Sequence, residues 1–221
     1  MILVSIANKD EWKCTKEYYQ DIIINNYPYG EYFINKINNY EVLFFYTGVR
    51  KTNASASTQY MIDHFDTDKI IVIGTCCGIS KDVNIYDLVI PNLAVQTDCT
   101  VREIEPLIRE KYNVDIRLPE ISFPYKKGII ATQDKPIVME EDYNYLIKNN
   151  ITICDTEAAS IAYIAKINNI DVLIIKGVSD TIINKKDINL SYEEQYNIFI
   201  KNIPIIMNKI LDNLERIIKW K

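Results

Sequence analysis

The stretch from residue 155 to residue 180 constrains the fold most, because it combines a helix, a buried strand and two carboxylates. Its sequence is DTEAASIAYIAKINNIDVLIIKGVSD. Small apolar residues recur at helical spacing after Glu157, which predicts a helix with one face lying flat on a sheet. The apolar run at 172–178 is typical of a strand buried on both faces. Glu157 thus opens the predicted helix and Asp180 lies just past the predicted strand, at ends where ligand clefts form in open α/β sheets.

The rest of the chain alternates strands with helices, which predicts an α/β fold with a central mixed sheet and helices on both sides. The predicted strands cover residues 1–7, 32–35, 40–46, 69–74, 87–95, 128–132, 151–154 and 172–178. Besides the helix after Glu157, the predicted helices cover residues 10–24, 53–65, 101–112, 139–148 and 190–219. Pro204 is expected to split the last helix by starting a second segment. The length of 221 residues suits one domain over residues 1–221.

Charge and composition exclude several classes of function. The net charge of −5 argues against a nucleic-acid or anionic-membrane surface. The apolar runs are strand-length and too short to span a bilayer. The N-terminal MILVSIANKDEW begins directly as a strand without a basic leader, so we expect a cytoplasmic protein.

The cysteine and histidine content argues against metal and thiol chemistry. The five cysteines are scattered or adjacent, which matches neither a disulfide framework nor CxxC metal spacing. His64 is the only histidine, which disfavours histidine triads and multi-histidine sites. Cys76 and Cys77 lack a nearby histidine base and are interpreted as small buried residues. We therefore expect neither a metal nor a cofactor.

Three carboxylates are candidates for acid–base chemistry. Alone, Glu157 could stabilise a helix dipole and Asp180 could cap the next segment. Together they bracket one helix–strand unit at the ligand end of the sheet, and Glu11 adds a third acid at the first strand exit. Such a set suits general acid–base work on a hydroxyl-bearing substrate. The tight segment 74–78 offers the Thr75 hydroxyl, but it is neither a Walker loop nor GxGxxG.

Several segments occur in an order that resembles the nucleoside phosphorylase/nucleosidase superfamily. They are TGVRKTNASASTQYMIDHF, IIVIGTCCGIS, IYDLVIPNLAVQTD, DTEAASIAYIA and IIKGVSD. The chain is most similar to 5′-methylthioadenosine/S-adenosylhomocysteine nucleosidases, and the likeness covers essentially its whole length. The resemblance implies a three-layer αβα fold, a homodimer and cleavage of the N-glycosidic bond of a purine nucleoside.

The resemblance also implies roles for individual residues. Glu157 matches the carboxylate that holds the ribose hydroxyls, Asp180 the group that protonates or hydrogen-bonds the purine at N7, and Glu11 the acid that activates the attacking water. The matching substrate-binding residues are Thr75 in place of a serine, Thr156 in place of a methionine, Ser179, and Tyr192, whose family counterpart lines the pocket of a neighbouring subunit. Arg50 replaces a glycine of the family's GxG loop and would put a cation near the pocket.

The nucleophile separates two branches of the superfamily. Phosphorylases resemble one another in carrying an arginine where this chain has Val72, and a phosphate needs cationic or multiple N–H donors. Hydrolysis is therefore favoured. A phosphorylase that uses Arg50 for phosphate and a catalytically silent nucleoside-binding protein remain the alternatives. The segment 132–137 carries no aromatic residue, so the base and 5′-group preferences stay open.

Overall fold

The computed structural model describes residues 1–98, 111–135, 137, 140–182 and 191–220, except for the side chain of Tyr192. Its strands are β1 (Ile2–Ile6), β2 (Asn25–Tyr27), β3 (Gly30–Ile37), β4 (Tyr40–Tyr46), β5 (Lys69–Gly78), β6 (Leu88–Gln96), β7 (Val114–Asp115), β8 (Lys126–Thr132), β9 (Ile153–Asp155) and β10 (Asp171–Thr181). Its helices are α1 (Lys9–Tyr18), α2 (Lys51–His64), α3 (Glu140–Lys148), α4 (Ala158–Ile167), α5 (Tyr192–Asp212) and α6 (Leu214–Ile218). Most of the helix predicted at 101–112 lies outside the described residues.

The strands form one mixed sheet that curls back on itself. Strands β4, β1, β5 and β10 are parallel neighbours, and β2 and β3 extend the sheet antiparallel from β4. Strand β5 also pairs with β9, and β8 and β6 link β9 to β10. The pairings of β5, β9, β8, β6 and β10 thus close a ring. The predicted α/β class with a central mixed sheet is confirmed.

Buried apolar side chains of the central strands make the core, and the helices pack on it. Leu3, Phe44 and Ile71 are fully buried, as expected for parallel strands covered on both faces. Helix α4 places Ala158 and Ala162 against the sheet, and these small residues allow close approach. Helix α5 packs on α1 and β10, and α2 packs on α4. Of the described helices, none has the length and apolarity needed to cross a membrane.

The first helix is shorter than its pattern predicts. It ends at Tyr18 and not at residue 24, because residues 25–27 form β2, which pairs with the start of β3. The prediction followed local periodicity, and the hairpin pairing across Pro28 overrides it.

Two strands are longer than predicted. Strand β5 continues through the segment 74–78, which is therefore a strand end and not a tight turn. Strand β10 runs to Thr181, so Asp180 lies within the strand and not past it. The reason is the same in both cases: the two strands pair with each other along their whole length.

Pro204 does not divide the last helix. It lies inside α5, and the break falls at Asn213, between α5 and α6. A proline inside a helix removes one backbone hydrogen bond. Here the helix continues because apolar residues on both sides of the proline, Ile203, Ile206 and Met207, are buried against the rest of the molecule.

Candidate active site

A cavity of about 200 Å³ lies where the carboxyl ends of β1, β5, β9 and β10 meet. Six of the residues predicted from the sequence line it: Glu11, Thr75, Thr156, Glu157, Ser179 and Asp180. The other lining residues are Asn8, Val49, Cys76, Cys77, Cys154, Asp155 and Phe199. The three candidate carboxylates therefore share one cavity, as the position of their strand ends predicted.

Glu11 is held by donors from two elements. Asn8 caps α1, and the Glu11 carboxylate returns the contact by accepting the Asn8 backbone N–H at 3.3 Å, which completes a capping box. Its Oε1 atom accepts the backbone N–H of Thr75 at 2.7 Å and the Thr75 hydroxyl at 2.5 Å. Glu11 is 3% exposed. Three donors thus fix the carboxylate at the end of β5.

Gly74 leaves room for this carboxylate. Its φ of +144° is a backbone conformation that side-chain-bearing residues rarely adopt. A Cβ atom built at this position would lie 2.8 Å from Oε2 of Glu11. A glycine is therefore required here for two separate reasons.

Glu157 is the N-cap residue of α4, and its side chain is turned to the cavity. Oε1 accepts the backbone N–H of Arg50 at 2.9 Å and the hydroxyl of Thr156. Burial, and next the charge of Asp155, raise the pKa of Glu157 to about 7, against the lowering effects of Lys176 and of the two donors. Glu157 therefore changes charge near neutral pH.

Asp155 and Lys176 form a buried ion pair next to Glu157. The Asp155 carboxylate accepts the Thr132 hydroxyl at 2.5 Å and the backbone N–H groups of Glu157 and Ala158 at 3.3 and 3.0 Å, so it caps the start of α4. Lys176 Nζ lies 3.0 Å from Asp155 Oδ2. Burial alone would lower the pKa of Lys176, but the carboxylates of Asp155, Glu11 and Glu157 raise it above its ordinary value. The charged form of Lys176 is therefore favoured beside these carboxylates.

Asp180 lies at a β-bulge, because the pairing of β10 with β5 shifts register between Val178 and Asp180. The Ser179 hydroxyl is 2.6 Å from Asp180 Oδ1. Burial raises the pKa of Asp180, and hydrogen bonds from Ser179 and Cys77 partly offset that rise. A carboxyl group whose neutral form is favoured is suited to donate a proton.

The other two predicted substrate-binding residues are Arg50 and Tyr192. Arg50 is exposed and does not line the cavity, and it reaches the site through its backbone N–H to Glu157. Its φ of +81° is a backbone conformation that favours glycine, which agrees with the glycine that the resemblance implies at this position. Tyr192 opens α5, and its side chain is outside the described part of the chain.

The sequence analysis missed several residues of the site. Phe199 brings an aromatic ring from α5, which the sequence pattern marked only as a packing helix. The sequence pattern places Asp155 at the start of a motif and Lys176 in an apolar strand, and it indicates no contact between them. A charged residue inside the run VLIIKGV was the available signal that a buried partner is present.

Comparison with known proteins shows which superfamily has this fold and this arrangement of strand ends. Residues 4–212 match the family model described as the phosphorylase superfamily, so the chain belongs to that superfamily. The chain is 25% identical over 203 residues to a 5′-methylthioadenosine/S-adenosylhomocysteine nucleosidase of Geobacillus sp. (strain WCH70), covering 84% of this chain and 87% of the relative.

Two solved structures extend the likeness to the fold. The nucleosidase of S. pneumoniae, solved with the transition-state inhibitor MT-ImmA, superposes with a TM-score of 0.80 at 19% identity over 99% of this chain and 98% of that one. The futalosine hydrolase of Helicobacter pylori strain 26695 gives 0.79 at 18% identity over 98% and 96%. The family recognised from the sequence is confirmed, and the relatives named here are nucleosidases or hydrolases, as the assignment to N-glycosidic hydrolases requires.

Proposed function

We propose that the protein hydrolyses the N-glycosidic bond of a purine nucleoside of the 5′-methylthioadenosine/S-adenosylhomocysteine type and releases the base. The observation that carries the proposal is that Glu11, Glu157 and Asp180, three of the four carboxylates lining the cavity, are buried or half-buried and each has different neighbours. Different environments allow the same chemical group to play different parts in one reaction.

Glu157 binds the ribose. In its ionised form the carboxylate accepts hydrogen bonds from the sugar hydroxyls, and two donors, the Arg50 N–H and the Thr156 hydroxyl, keep it in place. Departure of the base leaves positive charge on the sugar ring. A nearby carboxylate stabilises that charge more strongly in the transition state than in the bound substrate, which is the requirement for catalysis.

Asp180 protonates the leaving base. Burial raises its pKa, which favours the acid form that donates the proton. Transfer of this proton to N7 lets the purine leave as a neutral molecule and avoids a purine anion. Ser179, whose hydroxyl lies 2.6 Å away, orients the carboxyl group.

Glu11 activates the water. Its carboxylate takes a proton while the water oxygen bonds to C1′ of the ribose, and the C1′–N9 bond breaks. The products are the free base, which carries the Asp180 proton, and the free sugar. The two bonds from Thr75 aim the Glu11 carboxylate and leave Oε2 facing a single weak backbone donor, Asn8.

The cavity lining favours water over phosphate as the nucleophile. Among the described residues that line it, neither lysine nor arginine occurs, and Lys176 is bonded to Asp155. A phosphorylase would place cationic donors at the phosphate. Arg50 reaches Glu157 only through its backbone N–H, and the phosphorylase alternative would require its exposed side chain to turn inward.

The setting of the enzyme follows the same resemblance. We infer a single catalytic domain over residues 1–221 that works in the cytoplasm as a homodimer with a small-molecule nucleoside and without a cofactor. Light scattering coupled to gel filtration gives the mass in solution and tests the dimer.

The substrate class is tested by following base release chromatographically from 5′-methylthioadenosine, S-adenosylhomocysteine, futalosine and uridine. The proposal predicts adenine from the first two substrates and no uracil from uridine. Glu157→Gln should abolish turnover, whereas a silent binding protein would have no turnover to lose. Release from futalosine alone would support the assignment as a hydrolase and contradict the proposed substrate type. The absence of release from all four substrates would contradict the assignment as a hydrolase.

A further inference from the structure

The β-bulge beside Asp180 leaves one backbone group without a strand partner. Val178 pairs with Cys76 and Asp180 with Cys77, so Ser179 is the extra residue between two regular pairs. A bulged residue loses its place in the hydrogen-bond ladder. Ser179 is fully buried, so its carbonyl oxygen needs a donor from another element.

Asn202 of α5 supplies that donor. Its Nδ2 donates to the Ser179 carbonyl at 2.7 Å, and its Oδ1 accepts the hydroxyl of Tyr86 at 2.7 Å. The Asn202 side chain is therefore held at both ends, and the residue is only 5% exposed. The Ser179 hydroxyl continues the chain of contacts to Asp180 at 2.6 Å. Hydrogen bonds thus join Tyr86 to Asn202 and Asn202 to the Ser179 backbone, and the Ser179 side chain joins the bulge to the Asp180 carboxyl group.

We propose that Asn202 is a positioning residue for Asp180: its amide holds the Ser179 bulge, and the bulge directs the Asp180 carboxyl group into the cavity. This inference rests on the proposed function, in which Asp180 is the acid. Side chains alternate between the two faces of a strand, so a shift of one residue turns a side chain to the opposite face. The extra residue at 179 sets the face on which Asp180 lies.

Asn202→Leu tests the proposal, because leucine has nearly the same size and lacks the amide. We expect kcat for base release to fall about 100-fold, the size of effect that follows a 1 Å misplacement of a catalytic group. KM should change little, because Glu157, the proposed ribose-binding residue, is left unchanged. A role in packing alone would lower stability without this separation of kcat from KM.

Titration of Asp180 provides a readout that does not depend on activity. Carboxyl carbons of ¹³C-labelled aspartate are followed by NMR, and Asp180→Asn assigns the signal. The raised pKa of Asp180 should move towards the ordinary value in Asn202→Leu, because the carboxyl group leaves its buried position. An unchanged titration together with an unchanged kcat would overturn the proposal. If the wild type releases no base, the proposed function fails while this titration still tests the positioning.

Tyr86→Phe covers the case in which Asn202→Leu does not fold. It removes the hydroxyl that fixes Asn202 and keeps the amide, so we expect a smaller loss of kcat, about 5–10-fold for one hydrogen bond of roughly 1 kcal/mol. Tyr125→Phe is the matched control, since it removes a part-buried tyrosine hydroxyl that donates to the Pro119 carbonyl. Equal activities of the two tyrosine variants, with the same Asp180 titration, would contradict the proposal.

Discussion

Lys176 forms a buried ion pair with Asp155 of the cavity lining, with Nζ 3.0 Å from Oδ2 and side-chain exposures of only 2% and 3%. Asp155 also caps the helix that presents Glu157, so the pair connects β10 to the proposed ribose-binding carboxylate. Breaking such a pair by removing one partner leaves an uncompensated buried charge, whereas replacing both charges often costs little.

Lys176→Met should therefore lower the free energy of unfolding by about 3–5 kcal/mol, as expected for one orphaned buried charge. Asp155→Asn in the same chain removes the second charge and keeps an oxygen for the helix cap, so the double variant should regain much of the loss. Denaturant unfolding of the two single variants and the double variant measures the coupling. Additive losses would show that the charges do not stabilise each other.

Thr75→Val removes the hydroxyl that donates to Glu11 at 2.5 Å and keeps the shape of the side chain. A hydrogen bond to a carboxylate is worth about 1.5–3 kcal/mol, so we expect kcat/KM for base release to fall about 10–100-fold. Steady-state kinetics on 5′-methylthioadenosine measures the change.

Thr58→Val is the matched control for that variant. Thr58 is also buried, and its hydroxyl makes no hydrogen bond with any described residue, so valine should leave both activity and stability nearly unchanged. If both valine variants retained full activity, the Thr75 hydroxyl would have no part in orienting Glu11.

Gly74→Ala brings a methyl group to 2.8 Å from Oε2 of Glu11 at a strained φ of +144°. We expect activity per folded molecule to fall by at least about 100-fold, since the carboxylate must move. Gly128→Ala is a control for crowding alone, because its Cβ would meet Thr152 and not a candidate catalytic group. That variant should lose stability without losing activity once folded. Retention of activity in Gly74→Ala would mean that the position of Glu11 is not critical.

The raised pKa of Glu157 predicts the direction of a pH effect on stability. Its value rises from an ordinary 4.5 to about 7, so the folded protein favours the neutral carboxyl group. This contribution is fully present below about pH 4.5 and is lost as the pH rises through about 7. Glu157→Gln cannot titrate, so its free energy of unfolding should fall less steeply over that range. Parallel profiles for the wild type and the variant would contradict the assignment.

The sequence predicted that the candidate carboxylates lie close together, because they sit at strand and helix ends, and the structure places them around one cavity. The motifs around Glu157 and Asp180 are local, and parallel strands bring their carboxyl ends to the same edge of the sheet. Glu11 follows the first strand, and the structure brings it to the same cavity. Its assignment as the acid that activates water rests on a short resemblance. What these residues do remains a prediction until the variants above are measured.

The missed features depend on contacts between distant segments. Lys176 stands in an apolar run, and only the fold shows that Asp155 from another strand is its partner. Phe199 and Asn202 belong to a helix whose pattern indicates packing, while their contacts with the site depend on how that helix crosses the sheet. Local periodicity predicted the wrong end for α1, where strand pairing decides. The first-turn preference of proline wrongly predicted a break at Pro204, where burial of the flanking residues keeps the helix intact.

Base release with and without orthophosphate tests most directly whether water is the nucleophile. The purified protein is incubated with 5′-methylthioadenosine in phosphate-free buffer and in buffer with added orthophosphate, and both products are identified by chromatography. Hydrolysis by water predicts that adenine is released at the same rate in both buffers and that the sugar product is free methylthioribose. Release that requires orthophosphate and gives a sugar 1-phosphate would contradict the role of Glu11 and make the protein a phosphorylase.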